Sequence, residues 1–125
     1  MADPFRLSTR SASFRAAFRG LGLMLTTEPN ARIHALATII VLSLGFLLDI
    51  DRTEWLIVIL TVALVWSLEA INTALEAICD VVSPEQNPKV GRAKDVAAGA
   101  VLIAAVAAVL VAILVFGPRL VLLVA

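Results

Sequence analysis

The chain has 125 residues, 61% of them apolar, with ten basic side chains matched by ten acidic ones, a single Cys and no Tyr. An apolar share so far above the roughly 45–50% of a soluble domain excludes a soluble multidomain enzyme and points to a one-domain membrane protein, residues 1–125. Cys79 alone closes no intrachain disulfide, and without a CxxC or His/Cys cluster there is no zinc site, so the fold must rest on helices packed in lipid.

The segment 1–30 opens the chain. Phe14, Phe18, Leu21 and Leu25 recur at helical spacing with Arg10, Arg15 and Arg19 between them, which predicts an amphipathic helix lying on the membrane surface. The first continuous apolar run starts only after Arg32, too far from Met1 for a signal peptide. A first span is predicted over 31–48, bounded by Arg32 and by Asp49-Ile50-Asp51-Arg52. A second is predicted over 54–82, because no breaker follows Trp55 until Ser83-Pro84. The third, 96–116, carries no charge over 21 residues and is expected to end at Gly117-Pro118.

Basic residues orient these spans. Arg6, Arg10, Arg15, Arg19 and Arg32 precede the first, and Lys89, Arg92 and Lys94 lie between the second and third. Only Arg52 and Arg119 fall on the other side. The positive-inside rule therefore predicts a cytoplasmic N-terminus and a cytoplasmic second loop.

Chemistry concentrates in the run from Glu69 to Asp80. At about 100° per residue, Glu69, Asn72, Thr73, Glu76 and Asp80 fall within an arc of roughly 100°. The plain alternative is a polar stripe satisfied by neighbouring helices, yet Glu69 directly follows an apolar run, and an ionisable group at membrane depth marks function by default. Counted from Glu54, Glu69 lies about 22 Å and Glu76 about 33 Å along the helix, against a hydrocarbon core about 30 Å thick. Glu69 thus reaches a lipid hydroxyl at headgroup level, while Glu76 and Asp80 stand in water. Glu28 and Arg32 before the first span, and Gly91-Arg92-Ala93-Lys94-Asp95 before the third, share that membrane face. Glu28 and Glu76 suit Mg²⁺, which takes one or two carboxylates and completes its shell with phosphate and water. Lys94 suits phosphate, or serves as an ordinary membrane anchor. No P-loop or GxSxG element occurs. His34 reads as an interfacial anchor, Trp55 and Trp66 as belts at the two membrane faces, and Cys79 as a packing residue.

The run Glu69-Ala70-Ile71-Asn72-Thr73-Ala74-Leu75-Glu76 with Asp80, followed by Gly91-Arg92-Ala93-Lys94-Asp95, resembles the bacterial integral-membrane diacylglycerol kinase family, which includes the undecaprenol kinases. The likeness extends from Phe14-Arg15-Ala16-Ala17-Phe18-Arg19-Gly20 through the third span. It implies an all-α membrane protein in the bacterial inner membrane: a surface helix and three spans, assembled as a homotrimer with composite sites. It implies ATP and Mg²⁺ and a lipid alcohol as substrate; no nucleic-acid partner is expected, because topology already accounts for the basic residues. Glu69 matches the proposed general base, and Glu28 and Glu76 match the metal-binding positions. Glu85, Gln86, Asn87, Lys94 and Asp95 fall at nucleotide positions, Arg32, Asn72 and Asp80 at positions supporting activity, and Ala98 beside the lipid. Asn87 stands where the diacylglycerol kinases carry a His, and Ala16 where they carry a Tyr. The stretch Ala31-Arg32-Ile33-His34 is closer to the undecaprenol kinase branch. The rival class is a small proton-coupled transporter with Glu69 carrying the proton, although transporters place such groups at the midplane between repeats, and no repeat is present.

Overall fold

The computed structural model describes Met1 and residues 3–125. Four helices follow one another, α1 Leu7–Thr27, α2 Pro29–Leu47, α3 Arg52–Val82 and α4 Pro88–Val124, and no strand occurs among the described residues. Of these, α2, α3 and α4 are long and apolar enough to cross a membrane, so the chain is a multi-pass membrane protein.

Each boundary has a local cause. Between α1 and α2 the backbone of Glu28 is extended (φ −104°, ψ 116°) and Pro29 takes the first helical position, where its missing N–H leaves nothing unsatisfied. Arg32 folds back over this corner: its guanidinium donates to the carbonyls of Leu25 and Thr26, two groups the end of α1 would otherwise leave without partners. At the other end of α2, the Ile50 N–H donates to Gly45 O at 3.2 Å and the Asp49 N–H to Phe46 O at 3.4 Å. This is a Schellman turn, with Asp49 rather than Gly in the left-handed conformation (φ 50°). A reciprocal capping box then starts α3: Asp51 Oδ1 accepts from the Glu54 N–H at 2.9 Å, and Glu54 Oε1 accepts from the Asp51 N–H at 3.4 Å. Asn87 caps α4 by accepting from the Lys89 N–H at 2.9 Å.

The course of α4 corrects one expectation. Gly117-Pro118 does not end it; the helix runs through both residues to Val124. Pro118 takes an N–H away from the carbonyl ladder, and such a loss is tolerated where other groups hold the turn. Here the Arg119 guanidinium donates to Val115 O at 3.1 Å and to both carboxylate oxygens of Glu54 on α3. The clamp fixes the last turns of α4 against the start of α3.

Packing is most extensive between α3 and α4. At the Schellman end, Ile50, Val58, Val115 and Phe116 form the buried apolar cluster. Gly45 lets α2 approach α3 there, because the Trp55 ring edge occupies the space a Cβ would need. Higher up, the Trp66 indole N–H donates to Thr38 Oγ1 at 2.9 Å, so Trp66 joins α3 to α2 rather than serving only as an interfacial belt. Most large apolar side chains remain exposed, including Phe14, Phe18, Leu21 and Leu25 of α1.

Candidate active site

The polar stripe of α3 passes from enclosed to open. Glu69 is 1% exposed and Asn72 7%, and these are the two buried polar residues among the described ones; Asp80 is exposed. The Asn72 Nδ2 donates to Glu76 Oε1 at 3.2 Å. Three enclosed atoms of the stripe, Glu69 Oε2, Asn72 Oδ1 and Thr73 Oγ1, have no hydrogen-bond partner. A buried polar group without a partner is costly, so three such atoms at one face of one helix make this stripe the candidate site.

Where α3 ends, a polar cavity of about 460 Å³ lies between its last turn, the loop and the start of α4. Five of the residues singled out from sequence stand in its wall: Asp80, Glu85, Gln86, Asn87 and Lys94. Lys94 Nζ donates to Asp80 Oδ1, bringing a cation from α4 against the acid of α3. The Asn87 amide oxygen is engaged in capping α4, and the Glu85 carbonyl accepts from the Ser83 hydroxyl at 2.9 Å.

Other singled-out residues stand apart. Glu28 is half-buried at the α1–α2 corner, while Asp95 and Ala98 are exposed on α4. Neither Glu28 nor Asp95 forms an ion pair among the described residues. Arg32 is committed to capping α1. Among the described residues no group of three or more His, Cys, Asp or Glu side chains forms a closed metal cage.

One participant is placed differently from its sequence expectation. His34 is not a mere interfacial anchor: its Nε2 lies 3.4 Å from Glu69 Oε2, across the α2–α3 interface. The available signal was that two ionisable residues, His34 and Glu69, sit at the same ends of adjacent antiparallel spans. Beside them an apolar cleft of about 240 Å³ extends between α2, α3 and α4, from His34 to Phe116.

Comparison with known proteins fits this arrangement. The profile of the family described as prokaryotic diacylglycerol kinase matches residues 15–116. The chain is 40% identical over 108 residues to the undecaprenol kinase of Bacillus subtilis, covering 86% of this chain and 88% of that protein. It is 40% identical over 100 residues to a diacylglycerol kinase of Synechocystis, covering 79% of this chain and 57% of the longer relative. With the diacylglycerol kinase of Escherichia coli it shares 33% identity over 94 residues, 75% of this chain and 77% of that one. None of these similarities supports a transporter. A buried carboxylate at one end of a polar stripe, a cavity with basic and acidic walls at the other, and a profile match across most of the sequence agree: the chain belongs to the prokaryotic diacylglycerol kinase family of membrane lipid kinases.

Proposed function

We propose that the chain transfers the γ-phosphate of ATP to the hydroxyl of a membrane lipid alcohol, diacylglycerol or undecaprenol, with Glu69 as general base. The observation that carries this reading is the gradient along α3: an enclosed carboxylate with an unpartnered oxygen at Glu69, and a polar cavity open at Asp80. From Glu69 to Asp80 the helix rises about 16 Å, with Glu76 between them at about 10 Å. A lipid hydroxyl at one end and a triphosphate entering from the other meet along that line.

In the transfer, Glu69 accepts the hydroxyl proton as the lipid oxygen bonds to the γ-phosphorus and the bond from that phosphorus to the ADP oxygen breaks. Phosphoryl transfer asks for positioning and charge neutralisation more than covalent protein chemistry, so a small helical bundle suffices. Lys94, which lines one cavity with Glu85, Gln86 and Asn87, suits the nucleotide phosphates; Asp95 and Arg32 lie outside that wall, and their part in binding nucleotide or supporting activity rests on the family likeness. Glu28 and Glu76 would hold Mg²⁺ through hard oxygen donors, with phosphate and water completing its shell. When bound, Mg²⁺ supplies positive charge to the phosphate oxygens. Asn72 orients Glu76 through its side-chain hydrogen bond. Ala98, small and exposed on α4, leaves space for the lipid.

The apolar exterior of the bundle supports the assembly reading, a homotrimer whose sites draw residues from neighbouring copies, with α1 laid on the bilayer surface. The same reading places the N-terminus and second loop on the cytoplasmic side of a bacterial inner membrane, where ATP is available.

The test is Mg²⁺-dependent transfer of labelled phosphate from ATP to diacylglycerol and to undecaprenol, measured side by side in mixed micelles. Glu69→Gln is expected to abolish transfer and retain nucleotide binding; substantial remaining turnover would reject Glu69 as the base.

A further inference from the structure

Among the described residues, His34 and Glu69 form the ion-pair contact in which both facing atoms are enclosed and unbonded. Both His34 Nε2 and Glu69 Oε2 are enclosed, they lie 3.4 Å apart, and neither atom has a hydrogen-bond partner. Two helices that bring an imidazole and a carboxylate together away from water sacrifice hydration on both sides, which a purely packing role would avoid with apolar residues. Among the described residues Glu69 is the one acid within ion-pair distance of His34, and the walls of the adjoining cleft are otherwise apolar apart from Thr38 and Thr61.

The helix backbone that carries His34 is tied to α3. Thr38 Oγ1 donates to the His34 carbonyl at 2.6 Å and accepts from the Trp66 indole N–H at 2.9 Å. The two helices are thereby tied at 38 and 66, about one turn from where His34 faces Glu69, which sets the backbone of α2 against that of α3 beside the contact.

We propose that His34 is the positioning residue for Glu69: its Nε2–H donates to Oε2, which fixes the carboxylate and leaves Oε1 to take the lipid hydroxyl proton. This inference rests on the reading of Glu69 as the base. A separation of 3.4 Å without full hydrogen-bond alignment suits a resting site, since such contacts tighten when substrate closes the pocket. The imidazole touches no reacting atom; it acts through the carboxylate.

Three substitutions separate this role from bulk and from folding. Gln places an amide N–H where the imidazole Nε2 stands, Asn falls short of Oε2, and Leu fills space without donating. Transfer to diacylglycerol and undecaprenol, the KM for Mg-ATP and the thermal midpoint are measured for H34Q, H34N, H34L and E69Q. H34L and H34N are expected to lose roughly 10- to 100-fold in kcat, as orienting partners of functional groups commonly do, with the KM for Mg-ATP unchanged within about twofold. H34Q is expected to recover most of that loss. Should H34L not fold, the contrast between H34N and H34Q carries the test. Wild-type kcat in H34N, or equal loss in folded H34N and H34Q, overturns the positioning role while leaving the base reading intact. Turnover by E69Q removes the base reading and, with it, the proposal.

Discussion

Gly45→Ala tests how α2 and α3 meet. A Cβ at Gly45 would lie 2.6 Å from Cη2 of Trp55, 2.8 Å from Cζ2 and 3.2 Å from Cζ3. Ordinary carbon contact begins near 3.4 Å, so the nearest ring atom must retreat by about 0.8 Å, or the helices must part. Phe46 packs against the ring, centroids 4.8 Å apart with planes tilted by 53°, so a shift of the indole also disturbs this contact. Overpacking of this kind costs about 1–3 kcal/mol, and a rigid indole that also packs against Phe46 puts the expected loss near 2 kcal/mol. Reversible unfolding by dodecyl sulfate in mixed micelles, followed by helical circular dichroism, measures it. Trp55→Leu removes the ring edge, so the double variant is expected to be more stable than the sum of the single losses by about 1–2 kcal/mol. Gly45 lies about 16 Å along α2 from His34, and kcat of the folded variant is expected to be unchanged. A loss below about 0.5 kcal/mol, or strict additivity with Trp55→Leu, would refute this account of the close approach.

Further tests address the site and the turn. Glu76→Gln is expected to weaken Mg-ATP binding by at least tenfold while lipid binding persists, and an unchanged Mg²⁺ dependence of turnover would exclude Glu76 as a ligand. Asp49→Gly relieves a left-handed conformation that non-glycine residues adopt at a cost, and is expected to raise stability by about 0.5–1 kcal/mol in the same unfolding assay. The Asp51 carboxyl is held below its ordinary value of 3.8 chiefly by the hydrogen bond from the Glu54 backbone N–H. The unfolded chain therefore binds the proton more tightly, and this contribution is complete above about pH 3.8 and fades as pH falls through the folded value. Asn at position 51 caps without titrating, so the stability difference between wild type and Asp51→Asn should shift toward the variant on acidification; a difference independent of pH would contradict the cap's ionic character.

The helical segments and the α3 stripe were legible because composition and a period of 3.6 are properties of a single helix. Glu69, Asn72, Thr73, Glu76 and Asp80 share a face whatever surrounds them. Pairing across helices is another matter. That His34 meets Glu69, that Trp66 bonds Thr38, and that Gly45 yields to Trp55 all depend on the register between α2 and α3, which no local pattern encodes. Pro118 misled for a related reason: the local rule for proline lost to a clamp supplied by Glu54, a residue far away in the chain. The residues proposed for the nucleotide divide along the same line. Those within one turn-and-loop unit, Asp80 to Lys94, line one cavity in the structure, whereas Glu28, between α1 and α2, is not in its wall.

Because Glu69, Glu76 and Asp80 ride on one unbroken helix, α3 behaves as a ruler whose graduations are residues. A single residue inserted between Glu69 and Glu76 would carry everything beyond it forward by about 1.5 Å and turn it by about 100°, aiming the two acids at different neighbours. Apart from Asn72, which bonds Glu76, side chains between the marks can change in kind, while their number cannot. Length variation in such a protein is thus confined to its ends and turns, and the interval from 69 to 80 admits substitution but neither insertion nor deletion.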